Sequence, residues 1–426
     1  MLRAHRFQLR LKGAQEAQLR RFSGMARWVW NRALAEQRNR HERGEKYAGP
    51  AEMCPWLTAW RQNPETAWLA EGPVHTQQQV LRRLDAAFQR FFANVKAGRK
   101  PGFPRFKRRG EDPGLRFPDP KQFALDAPNA RVRLPKIGWA RLRLSRAVTG
   151  ELRNASIARE GDRWFCALQV RLPDVAPAAD LAPTLGIDLG VAAFASTSDG
   201  QIVAPLQALK RQQARLRRHQ RSVSRKGLGS RNRGKAVSRL GALHRRIVRQ
   251  RADWLHKLTS DLASRHPVIA IEDLQVAAMS ASARGTVERP GKRVRQKAGL
   301  NRSILDAAWG EFRRQLDYKL QAVGGRVIAV NPAYTSRTCR VCSHESADNR
   351  RTQALFACVS CGHREHADIH AAKNILAAGH AAWAAEVSGS VPPAACGGAV
   401  RRRPARKRPA GAAPAKQEPT EGAACA

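Results

Sequence analysis

The chain has 426 residues and a formal net charge of +43, because 77 lysines and arginines stand against only 34 acidic residues. An excess this large repels itself in a compact protein unless a polyanion neutralises it, so a phosphate backbone is the expected partner. The sequence has no run of 18 apolar residues, its N-terminal segment is charged where a secretory signal is apolar, and its eight cysteines are too few for a disulfide scaffold, so we expect a cytoplasmic protein.

The first half of the chain predicts a strand, two helices and a set of hairpins. Residues 6–12 alternate apolar and basic side chains, and the apolar residues that follow recur at helical spacing. A second amphipathic helix is predicted over about 76–96, and the period-two patterns of 131–145 and 152–172 predict antiparallel hairpins. The stretch 172–184 is rich in proline and alanine, which is typical of a linker between domains.

One basic segment of this half has two interpretations. Residues 98–109, GRKPGFPRFKRR, break the preceding helix with glycine and proline and place Phe103 and Phe106 among cations. Aromatic rings among cations can stack on unpaired bases, whereas two phenylalanines can equally anchor a loop to a hydrophobic core. The sequence leaves both interpretations open.

The second half of the chain has the order of an α/β domain. The mostly apolar segment 185–197 predicts a strand that turns at Asp199 and Gly200 into a return strand. A long helical hairpin is expected next, and a continuous apolar run predicts a buried strand over 268–273.

The C-terminal elements continue this alternation. A helix is predicted over about 301–323, followed by a strand over 326–330 and a closing helix. The buried face of the first helix is expected to contain Leu305, Ala308, Phe312, Leu316 and Leu320. The tail after about 385 is rich in alanine, glycine, proline and arginine, so it is expected to be disordered.

Four cysteines have the spacing of a zinc site. They read C-x2-C-x15-C-x2-C and are Cys339, Cys342, Cys358 and Cys361. Four thiolates fill a tetrahedral site, so the sequence predicts one structural zinc ion with no open position for water. His344 and His363 are conceivable substitutes, and a redox dithiol pair is the alternative, but the complete cysteine set favours zinc.

Three carboxylates lie at the ends of predicted core elements. Asp188 lies in the first strand of the α/β order, Glu272 ends the buried strand, and Asp368 begins the closing helix, where the helix dipole favours negative charge. Buried charges need compensation, and two divalent metal ions would supply it while activating water for phosphodiester hydrolysis. Each acid taken singly could instead be a salt-bridged structural residue, which is our interpretation of Asp199 and Asp273.

A long cationic segment spans the predicted helical hairpin. Between Lys210 and Arg251 there are 16 lysines and arginines and no acidic residue. A charge run is ordinarily a solvated face, but 42 residues without an acid favour contact with phosphates. The residues expected to contact nucleic acid are Lys210, Arg211, Arg215, Arg217, Arg218, Arg221, Arg225, Arg245, Arg246 and Arg249.

Several motifs, in this order, resemble one known family. They are GIDLG followed by SDG, IEDL, SILDAAWGEFRRQLDYKL, YTSRTCRVC, CVSCGH and ADIHAAKNIL. This combination resembles the TnpB family of transposon-encoded nucleases and, more distantly, the type V CRISPR effectors. The resemblance is strong over 184–378 and looser over 21–34. One departure is visible, because His370 stands where the family commonly has asparagine.

The resemblance implies an α/β fold with an RNase H-like (RuvC) nuclease domain, an inserted zinc ribbon and a preceding β-barrel domain that contains a helical recognition insertion. The implied domains are the wedge-like barrel (1–14 and 115–178), the helical insertion (15–114), the nuclease domain (184–334 and 367–385), the ribbon (335–366) and a disordered basic tail (386–426).

The resemblance also implies the activity and its partners. The protein is expected to be a magnesium-dependent endonuclease that cleaves double-stranded DNA under the direction of a transposon-derived guide RNA, without a membrane or small-molecule partner. Asp188, Glu272 and Asp368 are implied to be the catalytic ligands of two magnesium ions, and the four cysteines the ligands of zinc. We expect it on the nucleoid of a prokaryotic cell.

Two other functions are compatible with the same scaffold. One is a nuclease-inactive, guide-directed DNA-binding protein or repressor, and the other is an accessory transposition protein. Loss of one of the three acids would favour the first, and all three are present. A transposase that performs strand transfer itself is disfavoured, because no tyrosine follows a His-hydrophobe-His motif.

Overall fold

The computed structural model describes residues 1–111, 113–175 and 181–388. These residues form two large sheets with their helices and a small cysteine-bearing hairpin. Residues 176–180 of the expected linker and 389–426 of the expected disordered tail lie outside the described residues. None of the helices in the described part of the chain is both long and apolar enough to cross a membrane.

The first sheet has seven antiparallel strands in the order β2-β6-β7-β1-β5-β4-β3. The strands are β1 (Leu2–Arg10), β2 (Leu115–Phe117), β3 (Ala124–Asp126), β4 (Arg131–Leu134), β5 (Gly138–Arg143), β6 (Glu151–Glu160) and β7 (Arg163–Arg171). The period-two patterns predicted these hairpins correctly, because one face of each long strand is buried. The sheet is a half-barrel: its three-residue edge strands β2 and β3 do not pair with each other within the described residues.

Three helices and a 3-10 segment lie between β1 and β2 in the chain. These are α1 (Gly13–Glu42), α2 (Pro50–Gln62), a 3-10 segment (Pro64–Glu71) and α3 (Val74–Lys96). The predicted helix over 76–96 is α3, which buries Val80, Leu81 and Leu84. Helix α2 was not predicted, because it buries only Met53 and Leu57 and therefore lacks a periodic apolar stripe.

The second sheet has five strands in the order β10-β9-β8-β11-β12. The strands are β8 (Leu185–Asp188), β9 (Ala195–Thr197), β10 (Ile202–Val203), β11 (Val268–Glu272) and β12 (Arg326–Val330). Strands β8, β11 and β12 are parallel, whereas β9 and β10 are antiparallel additions. The prediction of one strand over 185–197 was wrong. The chain turns after Asp188, and β9 returns beside β8 with Thr197 opposite Ile187.

The helices around this sheet are α4 (Ala208–Ser224), α5 (Arg231–Arg265), α6 (Val276–Met279), α7 (Val294–Ala307), α8 (Trp309–Gln321) and α9 (Ala367–Val387). The prediction of one helix over 301–323 was wrong. The backbone of Ala308 is left-handed, with φ of +58°, and it separates α7 from α8. The break changes which side of α7 faces the core, so Leu305 is 55% exposed and Ile304 is buried in its place.

Helix α9 lies directly on the second sheet because of one glycine. A Cβ atom on Gly186 of β8 would lie 2.2 Å from the carbonyl oxygen of Ala372 and 2.7 Å from the amide nitrogen of Leu376. Only glycine therefore permits this approach of helix and strand. Since α9 carries Asp368 in its first turn and β8 ends at Asp188, the approach brings two of the predicted acids to the same region.

Candidate active site and zinc centre

The parallel strands place Asp188 and Glu272 side by side. Ile187 of β8 lies opposite Ile271 of β11, so the residues that end the two strands are neighbours at the carboxyl edge of the sheet. Asp368 reaches the same edge from the first turn of α9, which packs on both strands. The structure therefore brings together the three carboxylates that the sequence singled out.

The site accumulates negative charge that the protein only partly neutralises. Burial, reinforced by the charge of Asp368, raises the pKa of Asp188 to about 6. Burial, reinforced by the charge of Asp188, raises the pKa of Glu272 to about 7. The guanidinium of Arg350 acts in the opposite direction on both pKa values. Carboxyl groups with pKa values raised by burial and by one another are typical of metal and catalytic sites.

Two side chains from the cysteine-bearing segment reach this site. Arg350 Nη2 donates to Asp368 Oδ1 at 2.6 Å, and Thr335 Oγ1 donates to Glu272 Oε1 at 3.1 Å. Neither residue was identified from the sequence. Arg350 is one arginine among many, and its only sequence signal is its place between the two cysteine pairs.

The donor chemistry of the three acids fits magnesium. Magnesium prefers carboxylate oxygens at about 2.1 Å, so oxygens bound to one ion lie within about 4.2 Å of one another. In the part of the chain that the structure describes, the carboxylate oxygens of these three acids do not all lie within 4.8 Å of one another. One ion therefore cannot contact all three carboxylates unless a side chain moves.

The four cysteines, in contrast, form a compact cluster. Their sulfur atoms all lie within 4.8 Å of one another, with Cys339 Sγ 3.7 Å from Cys361 Sγ and Cys342 Sγ 3.6 Å from Cys358 Sγ. Zinc–sulfur bonds of about 2.3 Å at tetrahedral angles require sulfur separations of about 3.8 Å. The cluster therefore fits zinc without rearrangement.

The two cysteine pairs have the same backbone turn. In the first, the amide of Cys339 donates to the carbonyl of His344, and Ser343 has φ of +59°. In the second, the amide of Cys358 donates to the carbonyl of His363, and Gly362 has φ of +73°. A 3-10 segment, Ala347–Arg350, and strand β13 (Leu355–Ala357) lie between the two pairs, and β14 (Arg364–His366) follows the second pair and forms a hairpin with β13. Two matching turns that face each other are a typical zinc ribbon arrangement.

A buried histidine connects the ribbon to α9. His370 is fully buried and its ring stacks on Phe356 with centroids 3.6 Å apart. Its Nε2 lies 3.0 Å from the carbonyl oxygen of Thr338, and its Nδ1 lies 3.3 Å from Glu365 Oε2. Lys373 also donates to Glu365, so Glu365 and His370 have partners within the protein, whereas the buried Nε2 of the neighbouring His363 makes no hydrogen bond with the described residues.

The two acids interpreted as structural have protein partners. Asp199 accepts from the hydroxyl of Thr197 in the turn between β9 and β10. Asp273 lies 2.5 Å from the guanidinium of Arg313.

Eight of the ten predicted nucleic-acid contacts are exposed cations without an acidic partner. None of the eight forms an ion pair with another described residue. The eight are Lys210, Arg211, Arg215, Arg217, Arg218, Arg221, Arg225 and Arg246. Four of them, Arg217, Arg218, Arg221 and Arg225, line a concave surface of about 530 Å³ on α4. This surface, which we call the α4 groove, has the size and charge to hold a phosphate backbone.

The other two predicted contacts are engaged within the protein. Arg245 lies 3.9 Å from Asp162, and Arg249 lies 3.5 Å from Glu160, at the turn between β6 and β7. Gly161 of that turn has φ of +66°, which favours glycine, and the guanidinium of Arg245 lies where a Cβ atom would be, 2.3 Å from Cζ. These arginines join the first sheet to the helical hairpin, so the α4 groove is the better candidate surface.

Sequence profiles match three parts of the chain. One described as "Probable transposase" matches residues 167–283, one described as "Cas12f1-like, TNB domain" matches 309–375, and one described as "Helix-turn-helix domain" matches 1–46. In the structure, residues 1–46 contain strand β1 and one long helix, α1.

Full-length relatives and a solved structure are also similar. The chain is 43% identical to "Putative RNA-guided DNA endonuclease InsQ" of Escherichia coli, over 99% of this chain and 98% of that protein. It is 31% identical to a "Putative RNA-guided DNA endonuclease" of Streptomyces pristinaespiralis, over 99% and 97%. The structure titled "Cryo-EM structure of the Cas12f1-sgRNA-target DNA complex" matches 86% of this chain and 83% of that chain with a TM-score of 0.53 at 14% identity, which shows a shared fold.

Proposed function

This chain belongs to the TnpB family, and from that premise we propose that it cleaves double-stranded DNA at sites selected by a transposon-derived guide RNA. The observation that carries the proposal is the convergence of three carboxylates at one edge of the second sheet. A protein that only bound DNA would gain nothing from acids whose pKa values are raised by burial and by the charge of a neighbouring carboxylate.

We assign the second sheet and its helices to a RuvC-like nuclease domain, with the segment 335–366 as its zinc ribbon. Asp188, Glu272 and Asp368 would hold magnesium, and the bound metal would supply activation of water and stabilisation of the leaving oxygen of the phosphodiester. The burial of Asp188 and Glu272 strengthens their interaction with a cation, because the surrounding medium has a low dielectric constant.

Arg350 and Thr335 orient the acids. The hydroxyl of Thr335 fixes one oxygen of Glu272, and the guanidinium of Arg350 fixes one oxygen of Asp368. Arg350 has further N–H donors that can meet a phosphate oxygen of DNA bound at the same edge. The site therefore combines metal ligands from the sheet and α9 with a cation supplied by the ribbon.

The cationic surface gives the protein its two nucleic-acid partners. A guide-dependent enzyme holds a structured RNA and a DNA target at once, which demands more basic surface than a nuclease with one substrate. The α4 groove offers arginines without internal acidic partners for this purpose. The net charge of +43 supports the same conclusion.

The nuclease assignment is tested by replacing each acid. Asp188→Ala, Glu272→Ala and Asp368→Ala should each lower the cleavage rate by about 10³-fold or more, since several kcal/mol of transition-state stabilisation are lost. Binding of RNA and DNA should remain within about twofold of wild type, because it depends on the cationic surface. Asp253→Ala, an exposed acid on α5, is the matched control. Cleavage by any of the three variants at the wild-type rate would exclude that residue from the site.

A further inference from the structure

The basic segment 98–111, which the proposed nuclease chemistry leaves unexplained, forms a surface with Arg38 of α1. The guanidinium carbon of Arg38 lies 5.2 Å from the ring centroid of Phe103 and 4.7 Å from that of Phe106. The rings are 40% and 42% exposed. We call these three side chains the Phe–Arg–Phe stack.

The two phenylalanines have different surroundings. Phe103 packs edge to face against Phe88 and Phe91, at centroid distances of 5.5 and 5.2 Å, so it partly serves as a core residue. Phe106 makes no ring–ring contact within the described residues, and the group that stacks on its ring is the guanidinium of Arg38. Anchoring of the loop therefore accounts for Phe103 but leaves the exposed ring of Phe106 without a structural role.

The segment is held rigidly by α1. Trp30 Nε1 donates to the carbonyl of Arg105 at 2.9 Å, and the side chain of Asn31 exchanges two hydrogen bonds with the backbone of Lys107, at 3.0 and 2.7 Å. Pro104, between the two phenylalanines, is buried. A fixed backbone presents the ring of Phe106 without further ordering cost when a ligand binds.

The charge around the stack is uncompensated. Residues 98–111 contain six lysines and arginines and one acid, Glu111. Within the described part of the chain, neither Arg38 nor any of these six cations forms an ion pair with a carboxylate. An arginine stacked on a ring keeps its N–H edges free to bind phosphate, while the ring offers a face to a base.

Resting on the proposed function, we propose that the Phe–Arg–Phe stack binds unpaired nucleotides of the guide RNA, with a base on Phe106 and its phosphate on Arg38 and the cations of 98–111. RNA is favoured because proteins recognise RNA chiefly through unstacked bases in loops and ends, which stack on aromatic rings and guanidinium planes. The target DNA enters as a duplex with stacked bases, and the strand that guide pairing displaces is the competing ligand that the single-stranded DNA probe tests.

A second exposed aromatic–arginine pair provides a matched control. Trp139 is 41% exposed, and the guanidinium of Arg131 lies 4.6 Å from its ring. Arg131, however, is paired with Asp126 at 2.7 Å. Since this guanidinium is already neutralised, Trp139→Leu should leave RNA binding within about twofold of wild type.

The test compares Phe106→Leu, Phe106→Tyr and Trp139→Leu in the full chain, freed of copurifying RNA. The probes are a 12-nucleotide single-stranded RNA, the same RNA fully paired, single-stranded DNA of the same sequence, and a DNA duplex. Stacking of one base is worth about 1–3 kcal/mol, so Phe106→Leu should weaken single-stranded RNA binding about fivefold or more. Phe106→Tyr should retain binding, and duplex binding should change less than about twofold in every variant.

Each outcome decides the proposal. The proposal is overturned if Phe106→Leu binds single-stranded RNA at the wild-type level, or if it loses as much affinity for paired RNA as for single-stranded RNA. The choice of RNA is overturned if the variant loses more affinity for single-stranded DNA than for single-stranded RNA. If Phe106→Leu unfolds, the proposal is tested by photocrosslinking RNA that contains 4-thiouridine to the wild-type chain. An adduct within residues 98–111 or at Arg38 supports the proposal, and an adduct elsewhere contradicts it. Wild-type protein that binds no probe refutes the proposed function itself.

Discussion

The guanidinium of Arg350 lies 2.6 Å from the carboxylate of Asp368, and this ion pair connects the zinc ribbon to the candidate nuclease site. Arg350 follows the first cysteine pair, whereas Asp368 begins α9. The position of an acid at the nuclease site therefore depends on a segment that the cysteine cluster holds in shape. The ribbon contributes to the site as well as to stability.

The first prediction concerns Arg350. Arg350→Ala should reduce cleavage about tenfold or more, because the site loses a cation positioned for charge in the transition state. At pH 8.5, above the pKa values of Asp188 and Glu272, the half-saturating magnesium concentration should fall, since a competing positive charge is removed. A rise in the half-saturating concentration would contradict this expectation and would show that Arg350 acts mainly by orienting Asp368. Arg351→Ala, an exposed neighbour, is the control and should match wild type.

The second prediction concerns zinc. Elemental analysis after extensive dialysis should find one zinc ion per chain, because the four sulfurs lie within 4.8 Å of one another and two of their separations are already 3.6 and 3.7 Å. The double variant Cys339→Ser, Cys342→Ser should lose zinc, become sensitive to protease over about 335–365, and lose cleavage as Arg350 and Thr335 lose their positions. Cys54→Ser, remote in sequence from the cluster, should retain both zinc and cleavage. Retention of zinc by the double variant would contradict the ribbon.

The third prediction concerns the stability of the metal-free protein. The folded-state pKa of Asp188, about 6, exceeds the ordinary value of 3.8, so its carboxylate opposes folding wherever it is charged. The stability present at low pH is lost as the pH rises through about 6, and Asp188→Asn should restore it. We expect an increase of about 2 kcal/mol in the free energy of unfolding at pH 8 and little change at pH 4.

Urea denaturation without magnesium at the two pH values provides the measurement. Asp253→Asn, at an exposed acid on α5, should change the free energy of unfolding by less than about 0.5 kcal/mol at both. Magnesium should stabilise the wild type and not Asp188→Asn, because only the former retains the full ligand set. Destabilisation of Asp188→Asn at pH 8 would show that the carboxylate is already neutralised within the protein.

The fourth prediction concerns the α4 groove. Replacement of Arg217, Arg218, Arg221 and Arg225 by glutamate should weaken RNA binding and make its salt dependence shallower. Each lost phosphate contact reduces the logarithmic salt slope by about 0.7–0.9, so four contacts reduce it by about 3. The control is Arg245→Ala with Arg249→Ala, which removes arginines that are paired with Asp162 and Glu160 and should leave the slope nearly unchanged. Equal slopes for the wild type and the four-residue variant would exclude the groove.

Much of the site could be predicted from the sequence because its parts occupy element ends. Glu272 ends an apolar run that predicts a buried strand, and Asp188 lies in the mostly apolar segment that opens the α/β order. Parallel strands place their carboxyl ends at one edge of a sheet. The cysteine spacing is equally local information. What could not be predicted depends on tertiary contacts. The pairing of Arg350 with Asp368 follows from the path of the ribbon, which no local pattern records.

The errors in the fold prediction have physical reasons of the same kind. Apolar character continues through 185–197, so the turn after Asp188 is not visible in the hydrophobic pattern. Ala308 is a strong helix former, yet its backbone is left-handed where α7 meets α8. In both places tertiary packing overrides local preference.

The central claim, that an RNA bound by this chain directs its cleavage of DNA, is tested most directly by exchanging the guide. The RNA that copurifies with the full chain is sequenced, and its segment that matches a DNA target is replaced by a new sequence. Plasmids matched to the old or the new segment are then incubated with the complex and magnesium. We predict that cleavage moves to the plasmid that matches the new segment and that Asp188→Ala abolishes it. Cleavage of both plasmids at equal rates, or by protein freed of RNA, would contradict the account.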